Sequence, residues 1–189
     1  MGKLILLLVF IGITSVSCDG RDRTYKTNYE TLKQGKLLNS FSEKISYIPE
    51  TYTEIISDTI LSNGFRIKMK TYSNMEQSVL NEFKQDALKH KVYYREFVSE
   101  VIITKNSIEI FNKTIDKLFL DRLKNDLQLN NAIVKLRLDQ SYSIASNTIV
   151  LSVMIEKIDD KKITFCDLII DSEGAYKLKE VHALYAYIN

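Results

Sequence analysis

The sequence has few of the residues that most often carry chemistry or cross-links. Its 189 residues include two histidines, two cysteines, one proline and no tryptophan. Neither His90 nor His182 has neighbours at the spacing of a zinc site, and no phosphate-binding glycine loop or nucleophile elbow occurs. We therefore predict no catalytic residue, no metal site and no cofactor, which favours a binding protein over an enzyme.

The chain also lacks a strong excess of charge of either sign. It has 26 lysines and arginines against 24 aspartates and glutamates, and the two signs are interleaved along the sequence. A nucleic-acid-binding domain concentrates its lysines and arginines in a patch or stripe. Because no such stripe is present, we predict no nucleic-acid partner.

No apolar run is long enough for a membrane span. The run from Leu4 to Ile13 has about ten residues, whereas a spanning helix needs about twenty. It follows Lys3 and precedes small residues and Cys18, the layout of a bacterial lipoprotein signal. We therefore predict removal of residues 1–17 and a membrane anchor through a lipid on Cys18. A plain secretory signal is the alternative, since Ser15 stands where the lipoprotein motif usually has leucine.

Cysteine usage follows from this reading. If Cys18 carries a lipid, Cys166 is the single remaining thiol, so no intramolecular disulfide can form. Cys166 lies in the apolar segment 164–170, which reads as a strand. We therefore expect it to be a small buried hydrophobic side chain.

The rest of the chain divides into a tether and one domain. Residues 18–40 are polar and predict a lipidated cysteine followed by a tether that is disordered or partly ordered. Residues 41–189 are long enough for a single domain with its own core. The predicted fold class is α+β, mainly β, with antiparallel meander sheets forming a sandwich or barrel and one or two helices packed on it.

Strand signals dominate this domain. Ser62-Asn63-Gly64 follows one strand-like run and precedes another, which is a strong hairpin pattern. In the second run Phe65, Ile67 and Met69 alternate with cations, which predicts one buried face and one solvent-exposed face. Short connections between successive strands indicate antiparallel neighbours. The other predicted strands are 92–104, 107–111, 132–138, 148–158, 163–170 and 175–187.

Two segments have helical spacing. Ile115, Phe119, Leu123 and Leu127 recur every four residues, which predicts a helix with that stripe on the core. Residues 73–90 are ambiguous. A helix is favoured because Ser73 and Glu76 make a capping-box pattern, and a strand with a charged loop is the alternative.

Candidate functional side chains are few. Tyr93 and Tyr94 are adjacent on a predicted strand, so one of them points outward, and Tyr185 and Tyr187 share a face of the last strand. Outward tyrosines suit partner binding, although packing at sheet edges is the commoner role. Glu96 and Glu100 also share a strand face, as an acid and a base would, but such spacing arises easily by chance.

The segment from Ser57 to Tyr72 and the motif Tyr94-Arg-Glu-Phe97, behind such a signal, resemble a family of envelope lipoproteins from Bacteroidetes with a domain of unknown function. The resemblance implies an outer-membrane lipoprotein. Residues 19–23 do not show the acidic cluster that marks surface export in that phylum, which favours a position facing the periplasm. Asp58-Thr59-Ile60 also resembles the phylum's O-glycosylation sequon, with a plain strand threonine as the alternative.

Three functions fit these observations. The favoured one is a non-catalytic envelope lipoprotein whose domain binds a protein or glycan partner. The second is an immunity or inhibitor lipoprotein that neutralises a toxin or enzyme in the periplasm. The third is a carboxylate-based hydrolase, which would need a deep pocket with two facing carboxylates.

Overall fold

The computed structural model describes residues 27–35, 43–85, 88–124, 126–127 and 129–181. The chain divides into two compact units, one of Met1–Lys44 with Lys84–Lys89 and the other of Ile45–Phe83 with His90–Asn189. In the smaller unit, helix α1 spans Asn28–Gln34 within the predicted tether. Thr27 and Glu30 form a capping box at its start, and none of its residues is buried.

Among the described residues, the first sheet contains five strands. In spatial order it runs β1-β4-β3-β2, and β5 also pairs with β4. Strand β2 therefore lies at an edge of this sheet as far as the described strands extend. The strands are β1 Glu43–Ile48, β2 Glu54–Ile60, β3 Phe65–Gln85, β4 Leu88–Lys105 and β5 Ile108–Ile115.

Two tight turns within this sheet explain its local register. Residues 61–64 connect β2 to β3, and Leu61 N–H donates to the Phe65 carbonyl at 2.8 Å, which leaves residues 62–64 as the loop, with Gly64 at φ +84°. This three-residue loop with a left-handed glycine is a common hairpin connection. Asn106 and Ser107, both at positive φ, turn β4 into β5. Both hairpins were predicted from the sequence.

The second sheet is a four-stranded antiparallel meander in the order β6-β7-β8-β9. Its strands are β6 Ala132–Leu138, β7 Ile149–Lys157, β8 Ile163–Ile170 and β9 Tyr176–Val181. Helix α2, Lys117–Leu123, links the sheets, a 3-10 turn at Leu129–Asn131 leads into β6, and helix α3, Gln140–Ser146, connects β6 to β7.

One hydrophobic core joins the two sheets of the larger unit. It contains Phe65, Ile67 and Ile103 from the first sheet and Leu151 and Leu168 from the second, all essentially inaccessible to solvent. Cys166 lies in the same cluster, as its sequence predicted. The predicted fold class, mainly β with antiparallel meander sheets in a sandwich-like arrangement and helices added, is therefore confirmed.

The favoured helix over 73–90 is wrong, because the described residues of this segment are strand. Ser73 caps no helix. Its backbone N–H bonds the Thr53 carbonyl, and its hydroxyl accepts from Thr53 N–H, both at 3.0 Å. These contacts continue the β2–β3 ladder past Tyr72, and tertiary pairing overrides the local helical pattern.

The predicted helix after Ile115 exists but is shorter than its pattern. It begins after Asp116, whose carboxylate accepts from Phe119 N–H at 2.7 Å, and ends at Leu123. Leu120 is its fully buried residue, whereas Phe119 is half-buried against Tyr176. Ile115 belongs to β5, so the stripe of every fourth residue continues from a strand into a helix.

Candidate functional site

An aromatic and cationic cluster forms where β1 and β4 lie side by side. The rings of Tyr47 and Tyr93 stack with centroids 4.9 Å apart, and the Arg95 guanidinium lies 4.6 Å from the Tyr47 centroid. A second contact orients Arg95, since its Nη1 donates to the Met75 carbonyl. The predicted candidate Tyr93 is thus half-buried in a stack, and Tyr47 is the more exposed ring.

Next to this cluster, residues of both sheets of the larger unit line a cavity of about 220 Å³. From the first sheet come Tyr94, Arg95 and Phe97, and from the second Ile133 and Lys135. The other lining residues are Ile48, Asn81, Glu156, Lys157, Ile158 and Lys161. Tyr94, the second predicted candidate on this strand, therefore lines the cavity, whereas Tyr93 stacks on Tyr47.

Arg95 has an unusual environment for a half-buried cation. Its Nε is buried and has no hydrogen-bond partner within the described chain. Its contacts are the Met75 carbonyl and the Tyr47 ring, and no carboxylate of the described residues forms an ion pair with it. Arg95 therefore keeps unused donor capacity beside a cavity.

The second distinctive surface is strand β2 at the edge of the first sheet. Ile55, Ile56 and Ile60 keep 72%, 68% and 73% of their surface exposed. In the part of the chain that the structure describes, β2 pairs with β3 alone. Its other edge thus presents backbone N–H and C=O groups together with exposed isoleucines.

The two acidic residues of β2 are neutralised by cations of β3. Asp58 accepts from Arg66 through both oxygens, at 2.7 and 2.6 Å, which lowers the pKa of its carboxyl. Glu54 accepts from the Tyr52 hydroxyl at 2.6 Å and lies 3.4 Å from Lys70. The same Tyr52 bond lowers the pKa of Glu54 and raises that of Tyr52 to about 12.

Thr59 also lies on β2, directly opposite Ile67. Its side chain is half-buried and shares a face with that core residue. Its glycosylation stays a prediction. Three other predicted sites, the lipidation site Cys18 and the candidates Tyr185 and Tyr187, lie outside the described residues.

The remaining ionisable candidates are an ion-paired carboxylate, an exposed carboxylate and a buried thiol. Glu96 forms a largely buried ion pair with Lys117 at 2.6 Å. Glu100 is exposed. The pKa of Tyr72 is raised mainly by its own burial and next by the charge of Glu100. Burial, with a smaller effect of Glu180, raises the pKa of the Cys166 thiol to about 11. Among the described residues, no group of three His, Cys, Asp or Glu side chains could hold a metal ion.

Sequence reasoning missed the two most distinctive features, the exposed edge of β2 and Arg95 beside the cavity. The sequence predicted a strand that contains the three isoleucines of β2, but their exposure depends on which strands flank β2.

Within residues 27–35 and the longer described stretches, no helix combines the length and the apolar character needed to cross a bilayer. No protein-family model matches the chain, and no curated protein matches it.

Proposed function

We propose that this protein is a lipid-anchored lipoprotein of the cell envelope, facing the periplasm, whose β-sandwich binds a protein partner without chemical conversion. The partner adds a strand to the edge of β2 that has no neighbouring strand among the described residues. The exposed edge with its three isoleucines is the observation that supports this proposal most strongly.

Edge strands of soluble proteins usually carry devices that prevent pairing with another chain, such as lysine, proline or a bulge. The sequence of β2, Glu-Ile-Ile-Ser-Asp-Thr-Ile, has neither lysine nor proline. Its register with β3 runs unbroken from Glu54↔Tyr72 to Ile60↔Arg66. A regular, apolar edge of this kind is suited to pairing with a partner strand.

The charges of β2 do not oppose such pairing. Asp58 and Glu54 are engaged by Arg66 and by Lys70 with Tyr52, so their negative charge is largely compensated within the sheet. Seven residues at about 3.3 Å each give an edge of about 23 Å. This length suits an extended peptide segment.

These features favour a protein partner over a glycan. Strand addition obtains its affinity from main-chain hydrogen bonds and its specificity from alternate side chains. A glycan has no backbone that could continue the ladder, whereas an inhibitor that neutralises a toxin could use the same strand.

The envelope location in this proposal is supported by the N-terminal sequence. Lys3, the apolar run Leu4 to Ile13 and Cys18 form the pattern of a lipoprotein signal. A lipid anchor at Cys18 would hold the domain near envelope proteins, so that a modest strand-addition affinity is sufficient.

The test is recovery of the partner from solubilised envelopes of the producing cell with a tagged chain and two variants. Ile56→Glu with Ile60→Glu places charges on the proposed docking strand, opposite Lys70 and Arg66. Ile108→Glu is the matched control, because Ile108 is 69% exposed on β5 and lies opposite Lys105. We expect wild type and Ile108→Glu to recover the same protein and the β2 double variant to lose it.

All three proteins should unfold at similar denaturant concentrations, because each changed side chain is exposed. Recovery of the same partner by the β2 double variant would place the docking site elsewhere. Absence of any specific protein after cross-linking of intact cells would contradict partner binding itself.

A further inference from the structure

The cavity between the two sheets carries more positive than negative charge. Arg95, Lys135, Lys157 and Lys161 line it, against the single carboxylate of Glu156. Among the described residues, none from β2 contributes to its wall, so the cavity is separate from the proposed docking edge. Its excess of positive charge favours a ligand with negative charge.

The guanidinium of Arg95 is preorganised for such a ligand. The Tyr47 ring and the Met75 carbonyl hold its guanidinium in place, which removes much of the entropic cost of ordering a long side chain. Its Nε lacks a hydrogen-bond partner among the described residues although it is buried. Nε itself is closed to solvent, but Nη1 is the only guanidinium nitrogen with a hydrogen-bond acceptor among the described residues, so Nη2 keeps donors for an anion in the cavity.

The remaining wall limits the shape and polarity of the ligand. Phe97, Ile133 and Ile158 provide apolar surface beside the cations, and Tyr94 also lines the wall. A volume of about 220 Å³ equals about seven water molecules at liquid density. The space therefore suits a small molecule with an apolar body.

We propose that this cavity binds a small organic carboxylate. The carboxylate pairs with Arg95, whose planar guanidinium matches a carboxylate in a bidentate arrangement. Lys135 adds long-range attraction from the rim, and the apolar body of the ligand contacts Phe97 and Ile133.

The test is a titration of the purified protein with sodium benzoate, in which binding is measured by calorimetry or by NMR chemical-shift changes. Benzyl alcohol serves as an uncharged probe of similar shape, and sodium chloride at equal ionic strength controls for salt. We expect saturable benzoate binding with a Kd in the millimolar range or below, and binding of benzyl alcohol weaker by about tenfold or more.

Three variants connect this binding to the cavity. Arg95→Met should abolish saturable binding. Lys135→Gln, an exposed rim substitution that leaves the fold intact, should weaken benzoate by about 2–5-fold. Lys113→Gln is the matched control, because Lys113 is an exposed lysine of β5 outside the cavity, and its Kd should equal that of wild type.

Equal affinity for benzoate and benzyl alcohol would overturn the proposal, as would saturable binding that survives in Arg95→Met. If Arg95→Met unfolds, the comparison of Lys135→Gln with Lys113→Gln decides, and equal Kd values for these two variants would refute the site. None of these outcomes depends on partner recovery through β2, so the two proposals fail or succeed separately.

Discussion

At the scale of single residues, two glycines with the same backbone angle have different surroundings. Gly64 and Gly174 both have φ +84°, a conformation that other residues adopt with strain. A β-carbon on Gly174 would lie 2.0 Å from the Ile110 carbonyl oxygen, which is backbone. At Gly64 the nearest atom is the Asn106 side-chain oxygen at 3.0 Å, which can move. The turn between β8 and β9 therefore needs glycine to approach β5.

We expect Gly174→Ala to lower the free energy of unfolding by about 2–4 kcal/mol, from backbone strain together with the clash against Ile110. Gly64→Ala should cost about 1 kcal/mol, since it has the strain without a rigid obstacle. Denaturant unfolding of both variants measures the difference. Equal losses would show that the β8–β9 turn can shift away from β5.

Arg95 shows at the same scale why a site residue can escape sequence analysis. In the sequence it stands among tyrosines and glutamates of a strand, and no local pattern marks it as a site residue. In the structure its ring contact is Tyr47 and its hydrogen-bond acceptor is Met75, both distant in sequence. Its unpaired Nε follows from those long-range contacts.

At the scale of elements, two leucines of helix α2 differ strongly in solvent exposure. Leu120 is fully buried in the core between the sheets, while Leu118 is 63% exposed two residues earlier. Phe119 lies between these extremes and packs on Tyr176. Two residues of the predicted stripe, Phe119 and Leu123, pack partly buried against the core, but the fully buried residue of the helix is Leu120, which lies outside that stripe.

We expect Leu120→Ala to lower the free energy of unfolding by about 2–5 kcal/mol, because it removes a fully buried side chain and leaves a cavity. Leu118→Ala, the matched control on the same helix, should change it by less than about 0.5 kcal/mol. Chemical denaturation measures both. A small loss for Leu120→Ala would mean that the helix can be repositioned without cost.

The segment 73–90 shows how an element can be misassigned from local pattern. Ser73 and Glu76 match a helix start, yet Thr53 supplies both a donor and an acceptor to Ser73 from the neighbouring chain segment. Those two bonds join residues 20 positions apart. Local propensity carries no information on such a partner, so the strand could not be distinguished from a helix.

At the scale of the whole molecule, the two cysteines have different predicted roles. Cys18 precedes the described residues, while Cys166 lies inaccessible in the core. The two cysteines thus provide a matched pair for testing lipidation, since the proposal assigns the lipid to Cys18.

We expect Cys18→Ser to move the protein from the membrane fraction to the soluble fraction of producing cells and to abolish incorporation of radiolabelled palmitate. Cys166→Ala should keep both membrane association and label, because a buried thiol takes no part in anchoring. Membrane fractionation and palmitate labelling measure the outcome. Unchanged partition of Cys18→Ser would refute the anchor.

The sequence by itself determined most strands of the sandwich. Segments 132–138 and 163–170 were predicted with the bounds of β6 and β8, and the hairpins at Gly64 and Asn106 were located correctly. Period-two alternation and turn residues act within a few positions, so they are readable without knowledge of the fold.

Only the tertiary structure decided where a partner or ligand could bind. The exposure of Ile56 and Ile60 follows from the place of β2 at the end of the strand order. The cavity exists because packing of two sheets brings Arg95 of β4 near Lys135 of β6. Strand order and sheet packing depend on contacts between residues distant in sequence, and these are set by burial of the shared core rather than by local pattern.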